Sequence, residues 1–351
     1  MTTASILGAG SWGTTLALHL ARLDRRIVLW EVDPARAARV QESRLSLPFL
    51  PEHPLPPSIQ VTSDLDAALG HARVVILAVP SHAMRSVGER IARAGRGMGA
   101  ADAANGLDFQ TRLWISATKG IEEGSGLTPR QALAEGAGIE AGRIVVLAGP
   151  SFAVDVAAGH PTAILAACED SRLAREVQLL FSCDSFRVYT SSDPLGVEIG
   201  ASLKNVIAIA AGLAEGLELG RNALGALVTR GLAEIARLGV RLGARQETFL
   251  GLAGIGDLVM TCTSRLSRNY RVGLGLARGR GLEQILNELQ MVAEGVRTCR
   301  SARELGVRLG VDLPITEQVH AVLFESKPPR EAVLDLMRRP LKAETGEQHH
   351  E

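Results

Sequence analysis

The chain has 351 residues, 46% of them hydrophobic and 22% charged, which is the composition of a globular protein long enough for two domains. Lysine plus arginine and aspartate plus glutamate number 38 each, so the formal net charge is zero and argues against nucleic acid or an anionic membrane as partner. The four cysteines lack zinc-site spacing, no secretory signal opens the sequence, and no uninterrupted apolar run approaches the roughly 18 residues of a membrane span. We therefore expect a cytoplasmic protein with no metal and no membrane span.

A glycine-rich turn follows the first apolar run. Gly8 permits a tight turn, Gly10 lets the backbone approach a pyrophosphate, and Gly13 lets the next helix pack against the strand. The N-terminus of that helix offers unpaired N–H groups and a positive dipole end to an anion. A second strand ends at Glu31, where a carboxylate can accept hydrogen bonds from ribose hydroxyls. This stretch predicts a dinucleotide site.

Alternating β-branched runs and helical stretches predict an α/β fold over residues 1–190, with a doubly wound parallel sheet and helices on both faces. Strands are expected at 4–7, 27–30, 59–62, 73–79, 112–117, 143–148, 162–167 and 186–190. The proline-rich segment 46–58 and the Gly/Ala-rich segment 95–111 predict surface loops. After 190 the pattern is helical to about 338, so we expect a helical domain over 191–340 and a flexible tail over 341–351.

Ligands of open parallel sheets bind at the carboxyl ends of the strands. Three expected strands end in small residues or proline, at 78–82, 117–120 and 148–153. The second of these segments adds a cation, Lys119, which is either a ligand contact or a solvated lysine at a strand end.

Lys204 interrupts a helix that is apolar nearly all round, so we expect it to be buried. Burial lowers the pKa of a lysine, as a proton acceptor near neutral pH requires. Asp257, also surrounded by apolar and small residues, is its expected partner, with Thr261 one helical turn further on. The alternative interpretation is a structural ion pair.

Two further groups of polar and charged residues lie in the helical part of the sequence. Ser267, Arg268 and Asn269 together offer several hydrogen-bond donors, which suits a phosphate, although surface arginines are common. Glu234 stands among arginines at helical spacing and predicts a solvated helix face.

Seven motifs in order, at 8–14, 80–82, 117–120, 148–153, 204–208, 254–258 and 267–269, closely resemble those of the bacterial NAD(P)-dependent sn-glycerol-3-phosphate dehydrogenases. The resemblance implies a Rossmann-like sheet followed by an all-helical C-terminal domain similar to that of 6-phosphogluconate dehydrogenase. It also implies reversible hydride transfer between NAD or NADP and C2 of glycerol 3-phosphate, giving dihydroxyacetone phosphate. In cells the expected direction supplies glycerol 3-phosphate for phospholipids.

The resemblance also implies roles for individual residues. Lys204 is expected to be the general acid/base, Asp257 to hold and tune it, and Lys119 to assist at the reacting centre. The expected substrate contacts are Lys119, Gly149, Ser151, Lys204, Asn205, Asp257 and Thr261, with Ser267, Arg268 and Asn269 on the phosphate. The expected cofactor contacts are Gly8, Gly10, Ser11, Trp12, Gly13, Glu31, Val32, Pro80, Lys119, Ala153, Arg268, Val292 and Glu294.

Val32 replaces the His or Arg with which some relatives meet the 2′-phosphate of NADPH, and Glu31 repels a phosphate, so we predict that NADH is preferred. One alternative function is that of a related β-hydroxyacid dehydrogenase, but those carry an asparagine four residues after the lysine, where this chain has Ala208. The other is a dinucleotide-sensing protein without turnover, which has no need of Lys119, Lys204 and Asp257 together. Gly/Ala faces in the helical part favour a homodimer.

Overall fold

The computed structural model describes residues 3–70, 72–97, 111–341 and 343–344. The strands are β1 (Thr3–Leu7), β2 (Arg26–Trp30), β3 (Ile59–Thr62), β4 (Val74–Leu77), β5 (Leu113–Ser116), β6 (Ile144–Ala148), β7 (Thr162–Ala167) and β8 (Phe186–Ser191). They form one sheet in the order β3-β2-β1-β4-β5-β6-β7-β8. All eight expected strands are present, and the α/β sheet is confirmed.

The helices of the sheet part are α1 (Ser11–Arg22), α2 (Pro34–Ser43), α3 (Leu65–Gly70), α4 (Met84–Gly97), α5 (Pro129–Ala137), α6 (Ala153–Ala158) and α7 (Ser171–Phe181). They cover both faces of the sheet. In β4, Val74 and Ile76 belong to one hydrophobic cluster, while Val75 and Leu77 belong to another. This alternation is what a strand buried on both sides requires.

The sheet departs from the parallel prediction at one junction, because β7 pairs with β6 in the antiparallel direction. The segment between them contains only the six-residue helix α6. Such a helix is about 9 Å long at 1.5 Å per residue. A five-residue strand such as β6 spans roughly 16 Å. The short helix therefore does not carry the chain back to the start of the sheet, and β7 returns beside β6 in the opposite direction.

The remaining helices form the second part of the molecule. They are α8 (Pro194–Gly216), α9 (Gly220–Arg241), α10 (Asp257–Cys262), α11 (Arg268–Ala277), α12 (Leu282–Leu289), α13 (Glu294–Leu309), α14 (Pro314–Phe324) and α15 (Pro329–Met337). The predicted all-helical pattern after the sheet is confirmed. The exact domain boundary at 190/191 stays a prediction.

Helix α8 is the centre of the helical part. It is the one described helix whose length and composition match a membrane span, yet 94% of its most apolar window is buried inside the protein. Asp193 caps its first turn by accepting a hydrogen bond from the Gly196 amide at 2.9 Å. Glycines allow α11 to pack closely against it, since a Cβ on Gly273 would lie 1.9 Å from the carbonyl oxygen of Ile209. Helix α8 is therefore a core helix.

Two loop predictions had different outcomes. The segment 46–58 contains turns and one isolated β-bridge, Ser46 with Leu50, as its prolines predict. In the segment predicted as a loop over 95–111, residues 95–97 instead end α4, and 98–110 lie outside the described residues. The predicted tail 341–351 lies outside them as well, except for 341, 343 and 344.

Candidate active site and nucleotide site

The glycine turn joins β1 to α1 with the geometry that a bound pyrophosphate needs. Gly8 has a φ of +113°, and a Cβ on Gly13 would lie 1.9 Å from the Gly8 carbonyl oxygen. A Cβ on Gly10 would meet no atom within 4 Å, so the backbone there faces open space. Helix α1 begins at Ser11 without a side-chain cap. The unpaired N–H groups of this helix N-terminus fit an anionic nucleotide.

Glu31 lies at the end of β2, beside this turn, but its carboxylate is already engaged. It forms an ion pair with Arg36 of α2 and accepts a hydrogen bond from the Asp33 amide at 3.2 Å. Val32 is 60% exposed. The sequence interpretation missed Arg36, because a residue five positions away becomes a neighbour only once the strand turns into the helix.

Three charged side chains meet where the sheet and the helical part touch. The Asp257 carboxylate is fully buried between two ammonium groups: Lys119 Nζ lies 2.9 Å from Oδ2, and Lys204 Nζ donates to Oδ1. Lys204 Nζ also lies 2.9 Å from Thr261 Oγ1. The structure thus brings together the lysines and the carboxylate that lie far apart in the sequence.

The backbone of Gly149 completes the surroundings of Lys119. Lys119 Nζ donates to the Gly149 carbonyl oxygen at 3.2 Å, and Ser151 Oγ donates to the same oxygen at 3.1 Å. Gly149 has a φ of +146°, and a Cβ there would lie 2.9 Å from Ile164 Cα, so only glycine fits this turn. The segments that follow β5 and β6 therefore lie side by side, as expected for neighbouring parallel strands.

The electrostatics of this cluster tune one group in particular. Burial lowers the pKa of Lys204 to about 7, the Asp257 carboxylate acts to raise it, and the Lys119 ammonium acts to lower it again. A lysine with a pKa near 7 can both accept and donate a proton at neutral pH.

The position of Asp257 relative to Lys204 follows from small residues. Asp257 and Thr261 stand one turn apart on α10, which continues from a π-helical turn, Leu252–Gly256. A Cβ on Gly200 of α8 would lie 2.5 Å from the Ala253 carbonyl oxygen of that turn. Glycine at position 200 therefore lets α8 approach closely enough for its lysine to reach the carboxylate.

Ser202 connects the helical part to the residue after Lys119, and the sequence interpretation did not find it. Its Oγ accepts a hydrogen bond from the Gly120 amide at 2.9 Å and lies 2.9 Å from the Gly120 carbonyl oxygen. It also lies 2.7 Å from the Glu198 carbonyl oxygen, to which its hydroxyl can donate instead. A hydroxyl two residues before Lys204 on an apolar helix was the available signal.

The three residues expected at the phosphate have different surroundings. Ser267 caps α11 by accepting from the Tyr270 amide at 3.3 Å, and Asn269 Oδ1 accepts from the Gly295 amide at 2.9 Å. The side chain of Arg268 makes neither a hydrogen bond nor an ion pair with the described residues, and burial lowers its pKa. Arg268 is thus the cation available for a ligand, while Ser267 and Asn269 also hold the local fold.

Several of the remaining predicted positions have contacts that the structure defines. The Glu294 carboxylate, at the start of α13, accepts hydrogen bonds from the amide and hydroxyl of Ser81, at 3.1 and 2.6 Å, next to Pro80. Val292 is 38% exposed, and Asn205 is buried with its backbone oxygen against Gly295. The Ala153 carbonyl oxygen accepts from Thr15 Oγ1 at 3.1 Å, which ties α6 to α1.

Glu234 contradicts its prediction. It is 1% exposed instead of solvated, and its carboxylate accepts from the amides of Ile315 and Thr316, at 2.8 and 2.9 Å, and from the Thr316 hydroxyl. Glu234 therefore caps the N-terminus of α14 from a neighbouring helix, a contact between distant residues that helical spacing alone does not reveal.

Comparison with known proteins agrees with this geometry. Two family models match: the N-terminus of NAD-dependent glycerol-3-phosphate dehydrogenase over residues 3–174, and its C-terminus over residues 193–334. A Geobacter metallireducens protein named glycerol-3-phosphate dehydrogenase (NAD(P)+) is 47% identical over 342 residues, covering 97% of this chain and 98% of that protein. A protein of the same name from Syntrophotalea carbinolica is 47% identical over 340 residues, with the same coverage.

A solved structure is similar throughout. The crystal structure of glycerol-3-phosphate dehydrogenase from Coxiella burnetii superimposes with a TM-score of 0.87 at 36% sequence identity, covering 96% of this chain and 99% of that one. The likeness extends over the sheet and the helical part together. This chain belongs to the family of NAD-dependent glycerol-3-phosphate dehydrogenases.

Proposed function

We propose that this chain catalyses the reversible oxidation of sn-glycerol 3-phosphate to dihydroxyacetone phosphate with NAD or NADP. Family membership carries the reaction type. The observation that carries the assignment of residues is the buried Asp257 carboxylate held between Lys119 and Lys204. This cluster lies where the loops after β5 and β6 meet α8 and α10, which is the edge of the sheet at which ligands of such folds bind.

When the nucleotide is bound, its nicotinamide accepts or supplies the hydride at C2 of the substrate. The protein has to move the accompanying proton. In the oxidation, the neutral Nζ of Lys204 accepts the proton of the C2 hydroxyl; in the reduction, the ammonium returns a proton to the C2 oxygen. The pKa of about 7 places both forms within reach at neutral pH.

Lys119 and Arg268 supply positive charge at two points of the substrate, the C2 oxygen and the phosphate. Lys119 Nζ, on the other oxygen of Asp257, lies where it can stabilise negative charge that develops on the C2 oxygen. Arg268, whose side chain makes no hydrogen bond or ion pair with the described residues, is the proposed contact to the phosphate. Gly149, Ser151, Asn205 and Thr261 remain proposed substrate contacts.

Glu31, Val32, Pro80, Ala153, Val292 and Glu294, like the residues of the glycine turn, remain proposed cofactor contacts. Supply of glycerol 3-phosphate for phospholipids, a cytoplasmic location and a homodimer stay predictions. The two alternative functions have no observation in their favour. Ala208, at the position of the asparagine in β-hydroxyacid dehydrogenases, is fully buried. A sensor without turnover has no use for a lysine with a pKa near 7.

The deciding experiment follows the oxidation of NADH, and separately of NADPH, by purified protein supplied with dihydroxyacetone phosphate. Turnover is expected and should fall about a hundredfold or more in Lys204→Met, which keeps the length and apolar stem of the side chain. Arg241→Met, in the last turn of α9 where the arginine is exposed, is the control and should keep full activity. If neither NADH nor NADPH supports turnover, the proposed reaction is wrong. Near-normal turnover in Lys204→Met contradicts the proposed role of Lys204.

A further inference from the structure

Glu31, at the end of β2, forms an ion pair with Arg36, and Arg36 is the more exposed of the two side chains. The Glu31 side chain is 7% exposed and that of Arg36 is 19% exposed. Arg36 donates to Glu31 through Nη1 and to the Ala9 carbonyl oxygen through Nη2 at 2.7 Å. Its guanidinium also lies 4.4 Å from the centroid of the Phe49 ring. Arg36 therefore contacts the glycine turn, the acidic residue and an aromatic face at once.

This pair stands where the ribose of the adenosine half binds in folds of this type. The acidic residue after the second strand serves the 2′-hydroxyl, and an arginine nearby can accommodate a 2′-phosphate. Here both groups occur together, and the second oxygen of Glu31 already accepts from the Asp33 amide. A carboxylate neutralised in this way repels a phosphate less than a free one does.

The other arginines of α2 are placed differently. Arg44, at its C-terminal end, donates to the carbonyl oxygens of Pro56 and Ile59, each at 2.6 Å. Arg39 is exposed on the helix surface. Val32 brings no charge. Arg36 thus has the position, and its planar fork of donors has the shape, to bind a phosphate through two nitrogens.

We propose that Arg36 is a specificity-determining residue for the nucleotide, which sets how strongly Glu31 discriminates against a 2′-phosphate. With a 2′-hydroxyl present, Arg36 stays on Glu31. With a 2′-phosphate present, its guanidinium turns from Glu31 to the phosphate and keeps its contact with the glycine turn. The predicted preference for NADH is thereby moderated, and both nucleotides are accepted. The inference rests on the proposed function only in taking a dinucleotide as the ligand.

The test compares the affinities of the whole protein for 2′,5′-ADP and for 5′-ADP by isothermal titration calorimetry, which requires no turnover. In Arg36→Met, which keeps an apolar stem on Phe49, the ratio of the two dissociation constants should shift against 2′,5′-ADP about tenfold. Arg36→Lys should shift it less, and Glu31→Gln should shift it in the opposite direction. Arg26→Met removes an exposed arginine from the other end of β2 and should leave the ratio unchanged.

A ratio within twofold of wild type in Arg36→Met overturns the inference, and so does an equal shift in Arg26→Met. Kinetics with dihydroxyacetone phosphate then add the ratio of kcat/KM for NADPH and NADH, which should follow the same order among the variants. The expected nucleotide ratios without any turnover contradict the proposed function and leave the inference standing. Turnover in wild type, together with an unchanged ratio in Arg36→Met, supports the proposed function and contradicts the inference about Arg36.

Discussion

Ser202 Oγ lies 2.9 Å from both the amide nitrogen and the carbonyl oxygen of Gly120, the residue that follows Lys119. Since Ser202 also stands two residues before Lys204 on α8, one hydroxyl connects the backbone segments that carry the two lysines. Gly120 has a φ of +143°, and a Cβ there would lie 2.5 Å from Ser81 Cβ, so the backbone at this point has little freedom of its own.

We expect Ser202→Ala to lower kcat/KM about tenfold or more, because Lys119 loses the anchor that keeps it near the reacting centre. Since Lys119 lowers the pKa of Lys204, its displacement should also move the inflection of the pH profile upward. Ser202→Cys should restore part of the rate. Ser5→Ala, another buried serine with a backbone partner, controls for stability and should leave the inflection in place. An unchanged inflection in Ser202→Ala argues against the positioning role.

The pH profile should report Lys204 directly. Oxidation requires the neutral amine, so its rate should rise with pH through about 7; reduction requires the ammonium, so its rate should fall above about 7. Because Asp257 raises this pKa and Lys119 lowers it, Asp257→Asn should move the inflection down and Lys119→Met should move it up. The measurement is kcat/KM against pH in both directions. Shifts of the same sign in the two variants contradict the assignment.

Arg268→Ala should raise the KM for dihydroxyacetone phosphate about tenfold or more, with a smaller effect on kcat, because a lost phosphate contact weakens ground state and transition state alike. Arg265→Ala is the control, since this neighbouring arginine is exposed and pairs with Glu215 at 3.2 Å. Its KM should be that of wild type. If the two variants behave alike, the phosphate site lies elsewhere.

Glu234→Gln should destabilise the fold by about 1–3 kcal/mol, because the amide accepts through only one oxygen and faces the α14 amides with donors of its own. The KM values of folded protein should not change. The control is Glu317→Gln. Glu317 also lies on α14, but it is half-exposed and pairs with Arg303 of α13, so its loss should lower the free energy of unfolding by under about 1 kcal/mol. The measurement is the urea midpoint of unfolding of each variant. An equal loss of stability in the two variants would exclude the capping role of Glu234.

We expect His19 to make the free energy of unfolding depend on pH. Burial lowers its pKa below the ordinary 6.5, against the hydrogen bond of Nε2 to the Phe181 carbonyl oxygen, so the native state favours the neutral ring. The unfolded chain binds the extra proton, and stability present above pH 6.5 is therefore lost progressively as the pH falls below that value. His19→Gln should flatten this part of the stability curve measured by denaturant titration. A slope as steep as that of wild type assigns the titration to another group.

Whether a feature could be predicted from the sequence depends on how far apart the contacting residues lie along the chain. The strands and the glycine turn depend on neighbours a few residues away, and their positions came out within two residues. Lys204 and Asp257 could be paired because each is charged in an apolar setting, where an opposite charge is the simplest partner. Ser202, Arg36 and Glu234 were missed because their partners are chosen by tertiary packing: Ser202 bonds to a residue 82 positions away.

Asp257 is also a structural link, because it belongs to the helical part and its partner Lys119 belongs to the sheet part. The same carboxylate therefore balances charge and holds two halves of the molecule together. A substrate whose oxygen draws the Lys119 ammonium away from Asp257 weakens that connection at the moment it binds. Ligand binding at the reacting centre is therefore coupled to one of the contacts that join the two parts.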